Sequence, residues 1–258
     1  MKPGDLAGQA ALVTGGGSGI GEAVSLKLAE MGADVAVLDL HGDGARRVAA
    51  EVETLGRRAL AIELDLQEAA QIGPAVAEVV ATLGRIDILV NSAANMGLKL
   101  PNTVLELPEE EWDSVYAVNV KAPFLLMKHV GAHMVERGGG GRIVNVTSGG
   151  GFRARAVPSY GSSKAALTQL GRTAAAEFGP YGITVNSVAP GMTRTAGAVA
   201  AVGEERLRAA VGGDGSRSNL LARVAEPEDI ASAVTYLCLP ESLQITAQTI
   251  HVNGGQAM

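Results

Sequence analysis

A doubly wound α/β fold, a parallel sheet with helices on both faces in one domain, is predicted by three observations. Short, continuously apolar runs alternate with helical repeats along nearly the whole chain, and strands buried on both faces need no polar alternation. A glycine-rich turn, Gly15-Gly16-Gly17-Ser18-Gly19-Ile20-Gly21, joins the first apolar run to the first helical repeat. No linker, internal repeat or second core interrupts the 258 residues, a length that suits one large domain.

Ala10-Ala11-Leu12-Val13-Thr14 reads as the first strand, and Ala23, Leu26, Leu28 and Met31 then recur at near-helical spacing up to Gly32. Strand, glycine turn and helix together bring a pyrophosphate onto exposed backbone N–H groups at a helix start. Glycine is needed there wherever a side chain would block close approach or φ must be positive. The spacing is Gly-x-x-x-Gly-x-Gly, which differs from the commoner dinucleotide fingerprint.

The second strand, 34–39, ends in Asp39, about twenty residues past the glycines, where a carboxylate would accept hydrogen bonds from the adenosine ribose hydroxyls. A 2′-phosphate would meet like charge there, and neither Ser18 nor Leu40 offers a cation to offset it. NAD is therefore expected in preference to NADP, and Arg46 and Arg47 are assigned to a solvated helix face. A helix over 45–55 and a third strand over 59–64 follow, leaving Asp65 at a strand end within reach of the adenine amino group.

A helix over 69–83 leads to a fourth strand over 86–91, which opens into Ser92-Ala93-Ala94-Asn95. One long helical region is expected over 108–135, with Asn119 in its apolar part, then a glycine turn and a fifth strand over 142–147. Leu167, Leu170, Ala174 and Phe178 give the next helix a core-facing stripe. A sixth strand over 183–189 ends at Pro190-Gly191, a helix starts at Glu226, and 249–252 is the last strand. The 192–225 segment has interrupted periodicity, which suits either a lid over the site or a plain surface excursion.

Composition narrows the functional classes. With 47% hydrophobic and 19% charged residues the chain is not expected to be disordered. A net charge of -6 and a pI near 5.3 leave no electrostatic footprint for nucleic acid or an anionic membrane. No apolar run suits a membrane span, and 1–6 lacks the apolar core of a signal peptide, so a soluble cytoplasmic protein is expected. The single cysteine, Cys238, excludes an internal disulfide and a cysteine-rich metal site, and no metal is expected.

The chemistry centres on Tyr160-Gly161-Ser162-Ser163-Lys164, shortly after Asn145-Val146-Thr147-Ser148. Residues four apart on a helix share a face. A lysine cation beside a phenol, whose ordinary pKa is about 10, favours the phenolate and brings proton exchange toward neutrality. A serine hydroxyl beside the phenol would hold a carbonyl or alcohol oxygen while the proton moves. This is acid–base equipment for carbonyl/alcohol interconversion, provided that a hydride carrier sits alongside.

In order along the chain, Thr14-Gly15-x-x-x-Gly19-Ile20-Gly21, Asp65-Leu66, Asn91-Ser92-Ala93-Ala94, Asn119, Ser148, Tyr160-x-x-x-Lys164, Asn186 and Pro190-Gly191 resemble the short-chain dehydrogenase/reductase family over essentially the full length. The resemblance implies a Rossmann-type seven-stranded sheet, a homotetramer and an NAD-dependent oxidoreductase acting on a secondary alcohol or ketone. It implies Tyr160 as general acid/base, Lys164 lowering its pKa and binding the nicotinamide ribose, and Ser148 orienting the substrate oxygen. Asn119 would hold a water that relays protons to Lys164. Gly15, Gly19 and Gly21 would accommodate the pyrophosphate, and Ser18 and Ile20 are also implied to bind the cofactor. Asp39 and Asn91 would contact ribose, Asp65 the adenine and Thr193 the carboxamide, with Leu66, Ala93, Pro190 and Gly191 completing the cofactor shell.

Departures from the family pattern accompany these matches. Ser148 precedes Tyr160 by twelve positions, about one residue fewer than is common, which makes Thr147 a second candidate for the oxygen-binding hydroxyl. Asn91-Ser92-Ala93-Ala94 replaces Asn-Ala-Gly, Thr193 replaces an aliphatic residue, and Asn253-Gly254-Gly255 stands for Asp-Gly-Gly. The substrate pocket is expected from 93–100, 149–157 and 192–225. Met96, Leu98, Phe152, Val157 and Met192 favour an apolar, cyclic or aromatic alcohol, whereas Arg153 and Arg155 would suit an anionic one. The rival class is a dinucleotide-binding regulatory or scaffold protein on the same fold.

Overall fold

A computed structural model describes residues 1–97, 103–153, 157–212 and 218–256. Its strands are β1 (Ala10–Thr14), β2 (Asp34–Asp39), β3 (Ala59–Glu63), β4 (Ile88–Asn91), β5 (Gly141–Val146), β6 (Ile183–Pro190) and β7 (Thr249–Val252). They form one seven-stranded sheet in the order β3-β2-β1-β4-β5-β6-β7, parallel throughout. The chain winds outward from β1 in one direction and from β4 in the other. The crevice beyond the ends of β1 and β4 is therefore the switch point, where ligands bind in open α/β sheets.

Alternate residues of each strand feed two cores, as the period of two requires. Val13, Val37 and Val90 pack against α1 (Gly19–Glu30), α2 (Gly42–Thr54) and, near the other end of the chain, the 227–238 helix. Leu12, Leu38, Leu89 and Ile143 pack the opposite way, against α3 (Ala69–Leu83) and the helices of 122–137 and 158–178. Coverage on both faces is what allows β1 to be buried at every position. Among the described residues no helix is long and apolar enough to cross a membrane.

The sequence expectations fail instructively in the long helix. It is interrupted: α4 (Glu109–Tyr116) and α5 (Ala122–Arg137) are joined by a π-turn over Ala117–Lys121. Pro123 stands four residues after Asn119 and has no N–H to send back to the Asn119 carbonyl, so an unbroken α-helical ladder is impossible there. β4 begins at Ile88 and not at Ile86; the Ile86 N–H donates to His133 Nε2 at 3.2 Å.

The helix α6 (Pro158–Phe178) starts just before Tyr160. Among its described residues the 192–225 segment is not a bare loop. It carries α7 (Ala196–Val202) and α8 (Glu204–Val211), and Leu207, Val211 and Val224 form a small core of its own with Met192 and Val199. Its two ends are pinned together by the Thr193–Ala225 bridge before α9 (Pro227–Cys238) begins.

Candidate active site

Close approach of backbones dictates the glycine turn. Gly15 has φ +63°, and a Cβ there would lie 2.9 Å from Ala93 Cα; one on Gly21 would lie 2.0 Å from the Gly15 carbonyl oxygen. Gly19, φ +55°, faces Thr195 of the 192–225 flap. Only glycine allows α1 to start this close to β1 and to the loop after β4. Ser18 is exposed at the helix start and Ile20 is half-buried.

Asp39 is buried, and each carboxylate oxygen accepts a backbone N–H at 2.9 Å, Oδ2 from Gly17 and Oδ1 from His41. The side chain thus fixes the glycine turn as well as ending its strand. Arg46 is exposed and pairs with Asp43. Arg47 is exposed on its helix, as expected, and also donates to the Gly17 carbonyl at 3.1 Å while held by Glu22 and Glu51.

On the other side of the crevice, Thr14 Oγ1 accepts from the N–H groups of Ser92 and Ala93 at 3.1 and 3.2 Å. Its part in the sequence motif gave no hint of this duty. Asn91 faces inward: it pairs in register with Asn145, and its Nδ2 donates to Asn145 Oδ1 at 2.8 Å. Asn91 Oδ1 is buried without a partner among the described residues. Adjacent parallel strands bring the two amides face to face, a juxtaposition that local sequence does not reveal.

Asp65 is half-buried and accepts the Gln67 N–H at 2.9 Å, while Leu66 packs on the lower core. The Gly191 N–H donates to the Val252 carbonyl at 2.9 Å, continuing the end of β6 at Pro190. Thr193 is buried and turns back on its own chain, Oγ1 donating to the Gly191 carbonyl at 3.2 Å and its own carbonyl accepting the Thr195 N–H at 3.0 Å.

The catalytic candidates converge at the ends of β5 and α6. The Ser148 hydroxyl shares a hydrogen bond with the Tyr160 phenol and also accepts the Gly150 N–H at 3.0 Å. Thr147 is buried in the sheet, its Oγ1 donating to the Val188 carbonyl at 3.1 Å. The structure therefore brings Ser148, and not Thr147, to the phenol. Lys164 is fully buried, one turn along α6, with Nζ 5.8 Å from the Tyr160 ring centre and donating to the Val146 carbonyl at 2.9 Å.

One expectation is reversed. Burial pushes the Tyr160 phenol above its usual value, and the Ser148 hydrogen bond offsets this only in part. The more responsive group is Lys164, whose ammonium burial lowers to about 8. Each group is shifted toward its neutral form by its own loss of hydration.

Asn119 is buried, and its side-chain groups are taken up by protein partners. Oδ1 accepts the Asn95 N–H and Nδ2 donates to the Asn95 carbonyl, both at 2.8 Å, and Nδ2 donates also to Ser163 Oγ at 3.0 Å. No side-chain donor is left over for a water relay. Its backbone carbonyl, lacking an α-helical donor because of Pro123, is the group free of that ladder.

Phe152 is half-buried with its ring edge-on to His251, centres 4.9 Å apart, and Arg153 Nε donates to the Gly149 carbonyl at 3.2 Å. Met96 is exposed, and Leu98 and Arg155 lie outside the described residues. Two cavities flank the centre. One, of about 240 Å³, includes Gly150, Arg153, Val157 and Ser162; the other, of about 210 Å³, lies between the flap (Met192, Leu221) and Val252-Asn253-Gly254. Neither is lined by Tyr160 or Ser148.

Comparison with known proteins follows the same outline. The profile of a family described as enoyl-(acyl carrier protein) reductase matches residues 15–257. A short-chain dehydrogenase/reductase of Armillaria gallica is 37% identical, covering 96% of this chain and 95% of its own. The blue fluorescent protein from a metagenomic library, solved with NADPH, superimposes with a TM-score of 0.87 at 34% identity over 98% of this chain and all of its own (100%). The 3-ketoacyl-(acyl-carrier-protein) reductase of Brucella melitensis, solved with NADH, gives 0.86 at 30% identity over 98% and 100%.

Proposed function

The chain belongs to the short-chain dehydrogenase/reductase family of oxidoreductases, and on that premise we propose that it interconverts a secondary alcohol and a ketone with NAD(H), Tyr160 passing the proton. The observation that carries this proposal is the grouping of Ser148, Tyr160 and a fully buried Lys164 at the end of β5. A bound nicotinamide dinucleotide supplies or accepts the hydride.

The chain's own residues do the remainder. Ser148 holds the substrate oxygen against the Tyr160 oxygen, which takes the hydroxyl proton in oxidation and returns it in reduction. Lys164, fixed by the Val146 carbonyl, is the second proton store, its ammonium lowered by burial to about 8. The Asn119 carbonyl is the acceptor for a water leading toward Lys164.

The glycine turn fits a dinucleotide: Gly15, Gly19 and Gly21 leave backbone exposed at a helix start. Asp39 keeps lone pairs for ribose hydroxyls beyond the two N–H bonds it accepts. Its charge favours NAD, and Arg47, which also reaches the glycine turn, is already neutralised by Glu22 and Glu51. Known relatives bind either form, NADPH in one and NADH in another. Phe152, Val157 and Met192 favour an apolar, cyclic or aromatic substrate, with an anionic one facing Arg153 second. The working unit is taken as a cytoplasmic homotetramer without a nucleic-acid or membrane partner.

A screen of secondary alcohols with NAD and NADP, following the reduced cofactor by absorbance, tests this. Wild type should turn over with NAD, and Tyr160→Phe should lose about 10³-fold or more in kcat while still binding dinucleotide. Dinucleotide binding without turnover of any alcohol or ketone would leave the scaffold function instead.

A further inference from the structure

Asn95 follows the motif Asn91-Ser92-Ala93-Ala94 and was not singled out in the sequence, yet both its peptide group and its side chain are hydrogen-bonded to other segments of the site. Its peptide group is clamped on both sides by Asn119, Oδ1 accepting its N–H and Nδ2 donating to its carbonyl. Asn119 Nδ2 also donates to Ser163 Oγ, which donates to the Tyr160 carbonyl at 2.8 Å. In the other direction Asn95 Nδ2 donates to Ser114 Oγ at 3.0 Å, and that hydroxyl donates to Gln67 Oε1 at 3.0 Å. Gln67 in turn caps Asp65 through its backbone N–H at 2.9 Å. Asn95 Oδ1 meanwhile accepts the Gly97 N–H at 3.1 Å.

Every donor and acceptor in this chain points the same way at each hydroxyl, so the bonds polarise one another. The five pieces tied together are the end of β3, α4, the loop after β4, the π-turn and the first turn of α6. The first of these carries the residue assigned to adenine, and the last carries the phenol. We propose that Asn95 is a positioning residue that sets the Tyr160 turn of α6 against the adenine end of the cofactor site through Ser114 and Gln67. This rests on the function proposed above. Tyr160 and Asp65 are not in contact in this relay, and Asn95 touches neither reacting group. Its effect is on where they stand relative to one another, which rate depends on steeply.

Gln67 and Ser114 lie outside the catalytic group, so they separate coupling from local damage. The experiment measures kcat at saturating dinucleotide and alcohol, NAD affinity by fluorescence titration and thermal stability. The variants are Asn95→Ala, Ser114→Ala, Ser114→Thr, Gln67→Ala and the double variant Asn95→Ala/Gln67→Ala. Asn95→Ala and Gln67→Ala should each lower kcat by about three- to tenfold, the scale of one hydrogen bond. The double variant should be no worse than the more affected single one, and Ser114→Thr, which keeps the hydroxyl, should retain the activity that Ser114→Ala loses. Independent, multiplicative losses, or lowered stability with kcat unchanged, would overturn the proposal. Absence of turnover in wild type would instead be a failure of the function proposed above, and the two outcomes are told apart by wild type alone.

Discussion

The glycine turn and the substrate side of the site are held by opposite means. Around Gly15, Gly21 and Asp39 backbones touch backbones, and the carboxylate accepts one N–H from the turn and one from His41. Around Phe152, Arg153 and the 192–225 flap the contacts are made by side chains on loops, and the flap brings its own small core. Backbone sterics admit one residue type, whereas side-chain packing admits many. The cofactor half should therefore fail abruptly on small changes, and the substrate half should change by degrees. Between them Lys164 is a buried charge without a carboxylate among its recorded partners, costly to the fold and for that reason a mark of function.

The sharpest way to break the comparison is Gly21→Ala. Its Cβ would sit 2.0 Å from the Gly15 carbonyl oxygen, so the turn cannot close unchanged. The expected outcome is loss of dinucleotide binding by about 100-fold or loss of the folded protein, read by fluorescence titration and circular dichroism. Normal binding would show that the turn is not sterically determined.

Next in size is Ser148→Ala against Thr147→Val. Ser148 bonds the phenol, so its loss should cost kcat about 100-fold with little change in stability. Thr147 bonds Val188 inside the sheet, so its replacement should cost about 1 kcal/mol of stability and leave kcat near wild type. A larger kcat loss from Thr147→Val would reverse the assignment. Smaller still, Asp39→Ala should reduce the NAD/NADP ratio of kcat/KM by about tenfold, since one charge is removed while Arg47 keeps its glutamates. An unchanged ratio would remove Asp39 from cofactor choice.

The seven strands and their order of appearance were legible because each is a continuous apolar run bounded by a turn or helix signal. Tyr160 and Lys164 were legible because four-residue spacing on a helix is a local property. The break in the long helix depended on a single Pro123, which resembles a first-turn proline unless its missing bond to Asn119 is traced. The Asn91–Asn145 pairing needs β4 beside β5, and the Asn95 relay needs five segments folded together. No window of sequence contains either. The phenol's rise, in place of the expected fall, follows from burial, which sequence spacing does not report.

The direction of the Lys164 shift also sets a stability test. Its folded pKa, about 8, lies below the ordinary 10.5. Below about pH 8 the folded protein carries the cost of a buried cation, and stability rises from there toward 10.5 as the amine deprotonates in the fold before it does so unfolded. Lys164→Met removes that cost, roughly 3 kcal/mol less the bond to Val146, so its stability should not show the rise.

The most direct test of the central claim, that buried Lys164 and Tyr160 share the proton of catalysis, is the pH dependence of kcat in both directions for wild type and Lys164→Met. Alcohol oxidation by wild type should climb through pH about 8 and level off, with ketone reduction falling over the same range. In the variant that limb should move up toward or beyond the free phenol value of about 10. An identical profile in both proteins would contradict the account.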